Sequence, residues 1–493
     1  MTPTSRVAML SVEPPVIPTS VTFLQGCTAT AGWRSFRHVA ELTAPALSAW
    51  TVERVNAAIK AGRNSCVDVV ATALAHAKDP LGEGPWTFRA LHADDALTLA
   101  EMQDRLRTRG ATASSLAGLP VSIKDNIDIA GDPTPAGCKL LENAPVAASD
   151  AAVVQRLRAS GAVIVGRTNM SELAFSGVGY NRFYGTPANP WDRAARRIPG
   201  GSSSGAAISV ADGMAVAAIG TDTGGSVRIP AALTGLAGFK PTQARVPRDG
   251  VLPLSTLLDC VGPLAHSIAD CALLDGILAG ESAELPTLAG PLRLCTADDF
   301  MLKDADATVS QAYAHAKQAL LDAGAHIEPL PHGAFDEVAA YVRRGSFSGA
   351  EAWQRFGEAI LARPQDIDPR IAERILRGRT ITAADLEENR RERFRMMERF
   401  ERVMTAYDAL IAPTVPIVAP PIADMEDDES FRRANALILR NPMVANLLDA
   451  PSLTIPIHAP GEAPVGLMLI GARLSDRRLL AVGEAMERLL TAR

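Results

Sequence analysis

At 493 residues, 47% hydrophobic and 21% charged, the chain has the composition of a globular protein with room for a large core, and 5% aromatic content leaves that core mostly to Ala, Leu, Val and Ile. A formal charge of −6 with no long Lys/Arg block argues against a nucleic-acid-binding surface and favours a neutral or cationic small partner. Cys27, Cys66, Cys138, Cys260, Cys271 and Cys295 form no Cys-x-x-Cys pair, and no histidine cluster has metal-ligand spacing, so neither a disulfide framework nor a zinc site is indicated and a reducing compartment is expected.

Residues 1–45 carry scattered Pro, Thr and Ser without a sustained period and read as an N-terminal extension, partly disordered, that carries no chemistry. Leu24-Gln25-Gly26-Cys27 has the look of a lipoprotein cleavage box, but Pro14, Pro15 and Pro18 interrupt the apolar region that should precede it. No apolar run is long enough for a membrane span. Ser65 and Asp68 form a capping pair that predicts a helix over 66–77, and Leu99, Met102 and Leu106, followed by Gly110, predict another over 93–109. The apolar stretch from Leu119 to Ile123 reads as a strand that ends by delivering Lys124. A helix over 151–160, Gly161 and the apolar strand 162–165 come next, with 166–169 as the exit loop. Helices alternating with short apolar strands point to an α/β sheet covered on both faces.

Beyond the central stretch, 229–236 and 264–279 read as helices, 292–295 as a strand, and 305–323 as a helix stopped by Gly324. Residues 335–405 read as mostly helical, with the charges of 387–402 forming a solvated face. Strands are expected at 409–414, 453–456 and 465–470, and a final amphipathic helix at 477–490.

The organising stretch is 200–230, where Gly200-Gly201-Ser202-Ser203-Ser204-Gly205 and Gly220-Thr221-Asp222-Thr223-Gly224-Gly225-Ser226 flank one helix and one strand. Two glycine-serine turns that let a ligand approach the main chain imply a shared site. A phosphate loop would need Lys and Ser/Thr after Gly205, where Ala206 and Ala207 stand. Gly201-Ser202-Ser203-Ser204-Gly205 also fits a Gly-x-Ser-x-Gly nucleophile elbow. The histidines downstream, His266, His315, His326, His332 and His458, keep that reading open.

Taken together, Lys124-Asp125-Asn126, the two glycine-serine turns and Arg228-Ile229-Pro230 strongly resemble the amidase signature family of hydrolases, and Ser202 and Ser226 stand at the spacing that family uses. The resemblance extends to Gly166-Arg167-Thr168-Asn169-Met170-Ser171-Glu172, to Tyr184-Gly185-Thr186-Pro187-Ala188-Asn189-Pro190 and to Pro464-Val465-Gly466-Leu467-Met468, and so runs from about residue 50 to the end. It implies a central mixed β-sheet covered on both faces by helices, with 46–493 forming a single amidase domain. It also implies Ser226 as nucleophile, Ser202 as a cis-bonded bridging serine and Lys124 as base. The backbone N–H groups of Thr223, Gly224, Gly225 and Ser226 would form an oxyanion hole, with Ser203, Asp222 and Arg228 in support. Such a lysine must work as a neutral amine, and holding a side chain of ordinary pKa ~10.4 neutral at pH 7 costs about 4.6 kcal/mol, which burial can supply.

The implied activity is hydrolysis of a carboxylic amide, or a related ureide or carbamate, to acid plus ammonia or amine through a seryl acyl-enzyme. It needs no metal or organic cofactor. The alternative is the catalytic amidase subunit of a tRNA-dependent amidotransferase complex. The expected partner is a small-molecule amide in the cytoplasm, without direct nucleic acid or membrane contact, and a homodimer is compatible with this reading. Met468, Cys260 and His266 depart from the family pattern, Met468 standing where many relatives carry Gln, and are expected to line or neighbour the acyl pocket.

Overall fold

Eleven short strands, most of them completely buried, join into one mixed sheet in a computed structural model that describes residues 50–491. The expected extension at 1–45 lies outside the described residues. In chain order the strands are β1 Phe88–Leu91, β2 Pro120–Lys124, β3 Val163–Thr168, β4 Ala217–Asp222, β5 Ala237–Lys240, β6 Cys260–Ala265, β7 Arg293–Thr296, β8 His326–Pro329, β9 Ala409–Pro413, β10 Ser452–Pro456 and β11 Gly466–Ile470. Across the sheet they run β1-β3-β2-β4-β6-β5-β10-β11-β9-β7-β8. Parallel pairs β2/β3, β2/β4, β7/β8 and β7/β9 alternate with antiparallel neighbours such as β4/β6 and β10/β11.

The period of two along each strand divides the core between the faces. In β9, Ala409 and Ile411 pack with Leu467 and Leu469 of β11 and with Leu479 and Met486 of the helix Asp476–Thr491. Leu410 and Ala412 point the other way, to Met468, Ile470 and to Phe400 and Met404 of the helix Ala383–Met404. Both faces are therefore dry. This explains why these strands read as continuous apolar runs rather than as alternations.

The expected helix over 264–279 is two elements: β6 runs through Ala265, and the helix Ile268–Ala279 begins only after Ser267, whose side chain accepts the Asp270 N–H as its N-cap. Cys260 is accordingly a strand residue paired with Asp222. The site owes its position to β2, β3 and β4, which are parallel, so that Lys124, Thr168 and Asp222 finish at the same edge. Ligands of α/β sheets gather outside such carboxyl ends.

Candidate active site

Lys124 is fully buried where β2 ends. Its Nζ lies 2.7 Å from Ser202 Oγ, 2.8 Å from Thr221 Oγ1 and 3.4 Å from the Thr221 carbonyl oxygen. No carboxylate among the described residues pairs with it. Burial pulls the amine down to about 7, although Asp222 and Asp259 at longer range pull the other way.

Ser202 follows a cis Gly201–Ser202 peptide bond. The loop that carries it is packed too tightly for a side chain at 201, where an added Cβ would sit 2.6 Å from Gly179 N and 2.7 Å from Ser171 Oγ. Main-chain bonds tie this loop to its surroundings: Ser171 N–H donates to Ser202 O at 3.1 Å, and Ser203 N–H donates to Ser226 O at 3.3 Å. The second bond brings the two serine turns together. Between them the helix Ser204–Ala211, made of small residues and buried almost throughout, leads into β4.

After β4 the chain turns sharply. Gly225 has φ of +121°, and a Cβ there would collide with Pro442, so only glycine fits. Asp222 shapes this turn by accepting the Gly225 N–H at 2.8 Å and the Val227 N–H at 3.1 Å. Of the four N–H groups the resemblance points to, that of Gly225 is held by a carboxylate, whereas those of Thr223, Gly224 and Ser226 have no partner among the described residues.

Asp222 is in turn gripped by Arg228, whose Nε and Nη2 donate to its two carboxylate oxygens at 3.1 and 3.0 Å, while Asn446 Nδ2 adds a bond at 2.9 Å. Burial pushes the Asp222 carboxyl up, but Arg228 and its companions outweigh it and hold the group well below the usual carboxylate range. Ser203 Oγ is buried against the Thr221 carbonyl at 3.4 Å. None of the five downstream histidines hydrogen-bonds to Ser203 or Ser226. His266, for one, lies against Val210 O at 3.2 Å. The elbow reading thus lacks its base.

Met468, Cys260 and His266 do not line the cavity onto which Ser226 opens. Met468 Sδ is 3.3 Å from Arg228 Nη1, and Cys260 Sγ is 3.5 Å from Lys240 Nζ. Sequence reasoning missed Thr221, which holds Lys124 and receives Asn126 Nδ2 at 3.1 Å, and Asp259, which accepts Thr223 Oγ1 at 2.6 Å. Thr221 lies inside the quoted motif, where its strand position gave it an inward-facing hydroxyl. Asp259 gave no signal toward the site, since what ties it there is Thr223, 36 residues away, while its other partners are the nearby Leu254 and Ser255 N–H groups.

Ser226, Thr223 and Gly224 open onto a cavity of about 250 Å³ whose lining includes Arg374 and Arg377 and no Asp or Glu. The acidic balance of the whole chain is therefore not the charge of its pocket.

A family model described as Amidase matches residues 83–480, and the chain belongs to that family, the amidase signature enzymes. It is 34% identical over 403 residues to a 2-amino-5-chloromuconic acid deaminase from Comamonas testosteroni, covering 80% of this chain and 86% of that protein. It is also 34% identical over 482 residues to a glutamyl-tRNA(Gln) amidotransferase subunit from Chloroflexus aurantiacus, covering 89% of this chain and 96% of that one. A solved amidase crystal structure matches with a TM-score of 0.80 at 32% identity over 89% of this chain and all of the other. The protein is an amidase that hydrolyses C–N bonds. No helix among the described residues is long and apolar enough to cross a membrane.

Proposed function

We propose that Ser226 is the nucleophile, Ser202 the proton bridge and Lys124 the base of a seryl amidase acting on a small-molecule amide. The observation that carries this reading is the surroundings of Lys124 Nζ. A neutral amine has two N–H bonds and one lone pair. Both oxygens of Thr221 accept the N–H bonds, which leaves the lone pair for the Ser202 hydroxyl at 2.7 Å. Lys124 then takes the Ser202 proton as Ser202 takes that of Ser226, and the Ser226 oxygen attacks the amide carbon. Negative charge on the carbonyl oxygen meets the open N–H groups of Thr223, Gly224 and Ser226, each such donor being worth ~3–4 kcal/mol of barrier. The proton returns along the relay to the departing nitrogen, ammonia or amine leaves, and water reverses the sequence to free the acid and Ser226. No step requires a metal or organic cofactor. Asp222, Arg228 and Ser203 hold the turns in place, and we place the protein in the cytoplasm, in keeping with the five unpaired cysteines among the described residues.

A fluorophosphonate should label Ser226 alone, as read by peptide mapping. Label on Ser203 instead would replace this reading with the elbow. A second reading, the catalytic component of a tRNA-dependent amidotransferase, draws on the likeness to the Chloroflexus amidotransferase protein over nearly its whole length. Release of ammonia from simple amides by the purified chain alone favours the free-standing enzyme, and turnover only with added partner subunits favours the other.

A further inference from the structure

Arg374 sits in the helix Pro369–Leu376 and lines the same 250 Å³ cavity as Ser226. Its guanidinium is pinned in place: Nη1 donates to the Phe175 carbonyl, and Cζ stacks 4.6 Å from the centre of the Phe175 ring. Phe175 is itself a wall residue of the cavity. What the guanidinium lacks is an acid. Arg377 is paired with Glu373 and Arg370 with Asp368, but no carboxylate among the described residues pairs with Arg374, and its remaining N–H donors have no partner there. Burial and then the neighbouring Arg377 depress it, the mark of a charge whose compensation is missing. A fixed, half-buried cation with spare donors, lining the same small cavity as Ser226, is a receptor for an anion.

An adjoining cavity of about 810 Å³ shares Arg374 and Arg377 with the first and carries seven Lys/Arg against three Asp/Glu on its wall. Of these, Lys303 and Arg343 have no acidic partner among the described residues, so the approach to the site is electropositive as well and draws anions inward.

We infer that the amidase substrate carries a carboxylate on its acyl part, as in the monoamide of a short dicarboxylic acid, and that Arg374 is the residue that recognises it. This rests on the proposed role of Ser226. A charge-assisted hydrogen bond to a half-buried cation changes kcat/KM by roughly 10- to 100-fold. The wild-type enzyme should therefore hydrolyse succinamate or glutaramate faster than their methyl esters by about that factor, and glutarate should compete with the fluorophosphonate for Ser226. Arg374→Gln should collapse the acid-to-ester ratio toward one, and Arg374→Lys should restore part of it. Should Arg374→Gln not fold, the wild-type ratio and the lysine variant still decide. Esters turned over as fast as the acids by the wild type, with Ser226 labelled, overturn the anionic substrate and leave the amidase reading intact. No turnover of any amide together with no label on Ser226 overturns both.

Discussion

A lysine that is neutral at work makes activity depend on pH with a definite sign. Lys124 has its amine brought down to about 7, so below that pH it is protonated and its lone pair is lost to Ser202. We expect kcat/KM to fall about tenfold per pH unit on the acid side of about 7. Replacing each of the five downstream histidines in turn should leave this limb in place, and its disappearance with any one of them would assign the titration elsewhere. Lys124→Ala and Ser202→Ala should each cost about 10²–10⁴-fold in kcat/KM. Because the two side chains form one relay in the proposed mechanism, the double variant should lose far less than the product of the single losses. A multiplicative loss in the double-mutant cycle would mean that Lys124 is a structural lysine. Met468 offers a gentler test at the same scale. A thioether is a weak acceptor for Arg228 Nη1, so Met468→Gln, whose amide oxygen is a stronger one, should raise the urea midpoint by the equivalent of about 0.5–1.5 kcal/mol, while an unchanged or lowered midpoint would show that the thioether is packed rather than bonded.

Among the elements, the join between β4 and the helix Arg228–Thr234 is the critical one, since the proposed nucleophile lies between them. It is fastened by a fully buried ion pair, Asp222 with Arg228, to which the helix Asp428–Leu447 contributes Asn446. Removing one partner of such a pair leaves a bare buried charge, at a cost of ~3–5 kcal/mol. Arg228→Met should therefore unfold at a markedly lower urea concentration, and Arg228→Lys should recover only part of the loss because an ammonium cannot reach both carboxylate oxygens, Ser452 and Asn446 together. The Arg228–Ile229–Pro230 motif was legible in the sequence, and so were β2, β9 and β11, because their apolar runs are bounded by Gly or Pro; of β3 only the apolar start was, since 166–168 read as an exit loop and are the second half of the strand. What stayed hidden has physical reasons. β5 and β6 contain Gly238, Gly262 and Pro263, and pair with each other only through contacts distant in the chain. The helix Asp428–Leu447 holds Pro442 in its interior, which reads as a break. Arg374 lay in a stretch read only as helical, and nothing in its local sequence says that it lines the same cavity as Ser226.

At the scale of the molecule, strand order interleaves distant parts of the chain. β10 and β11, near the C-terminal end, lie between β5 and β9, so the C-terminal strands connect the half-sheet that holds Lys124, Ser202 and Ser226 to the half-sheet of β7, β8 and β9. The helix Asp476–Thr491 strengthens this link, with Asp476 accepting Thr242 N–H and Oγ1–H at 2.7 Å and Glu487 accepting the Ile268 N–H at 3.0 Å. We propose on this basis that residues 46–493 behave as one amidase domain and that 1–45 are an extension to it. Every described strand and every proposed site residue lies between 88 and 470, so a variant lacking residues 1–45 should keep kcat/KM within about twofold of the full chain. For the domain itself, neither half can keep its sheet edge covered without β10 and β11, so the two halves should lose their structure together. Urea titrations followed by far-ultraviolet circular dichroism, by tryptophan fluorescence and by residual amidase activity should therefore trace one coincident transition. Activity that disappeared well before the other two signals would instead show that the half-sheet bearing Ser226 opens on its own.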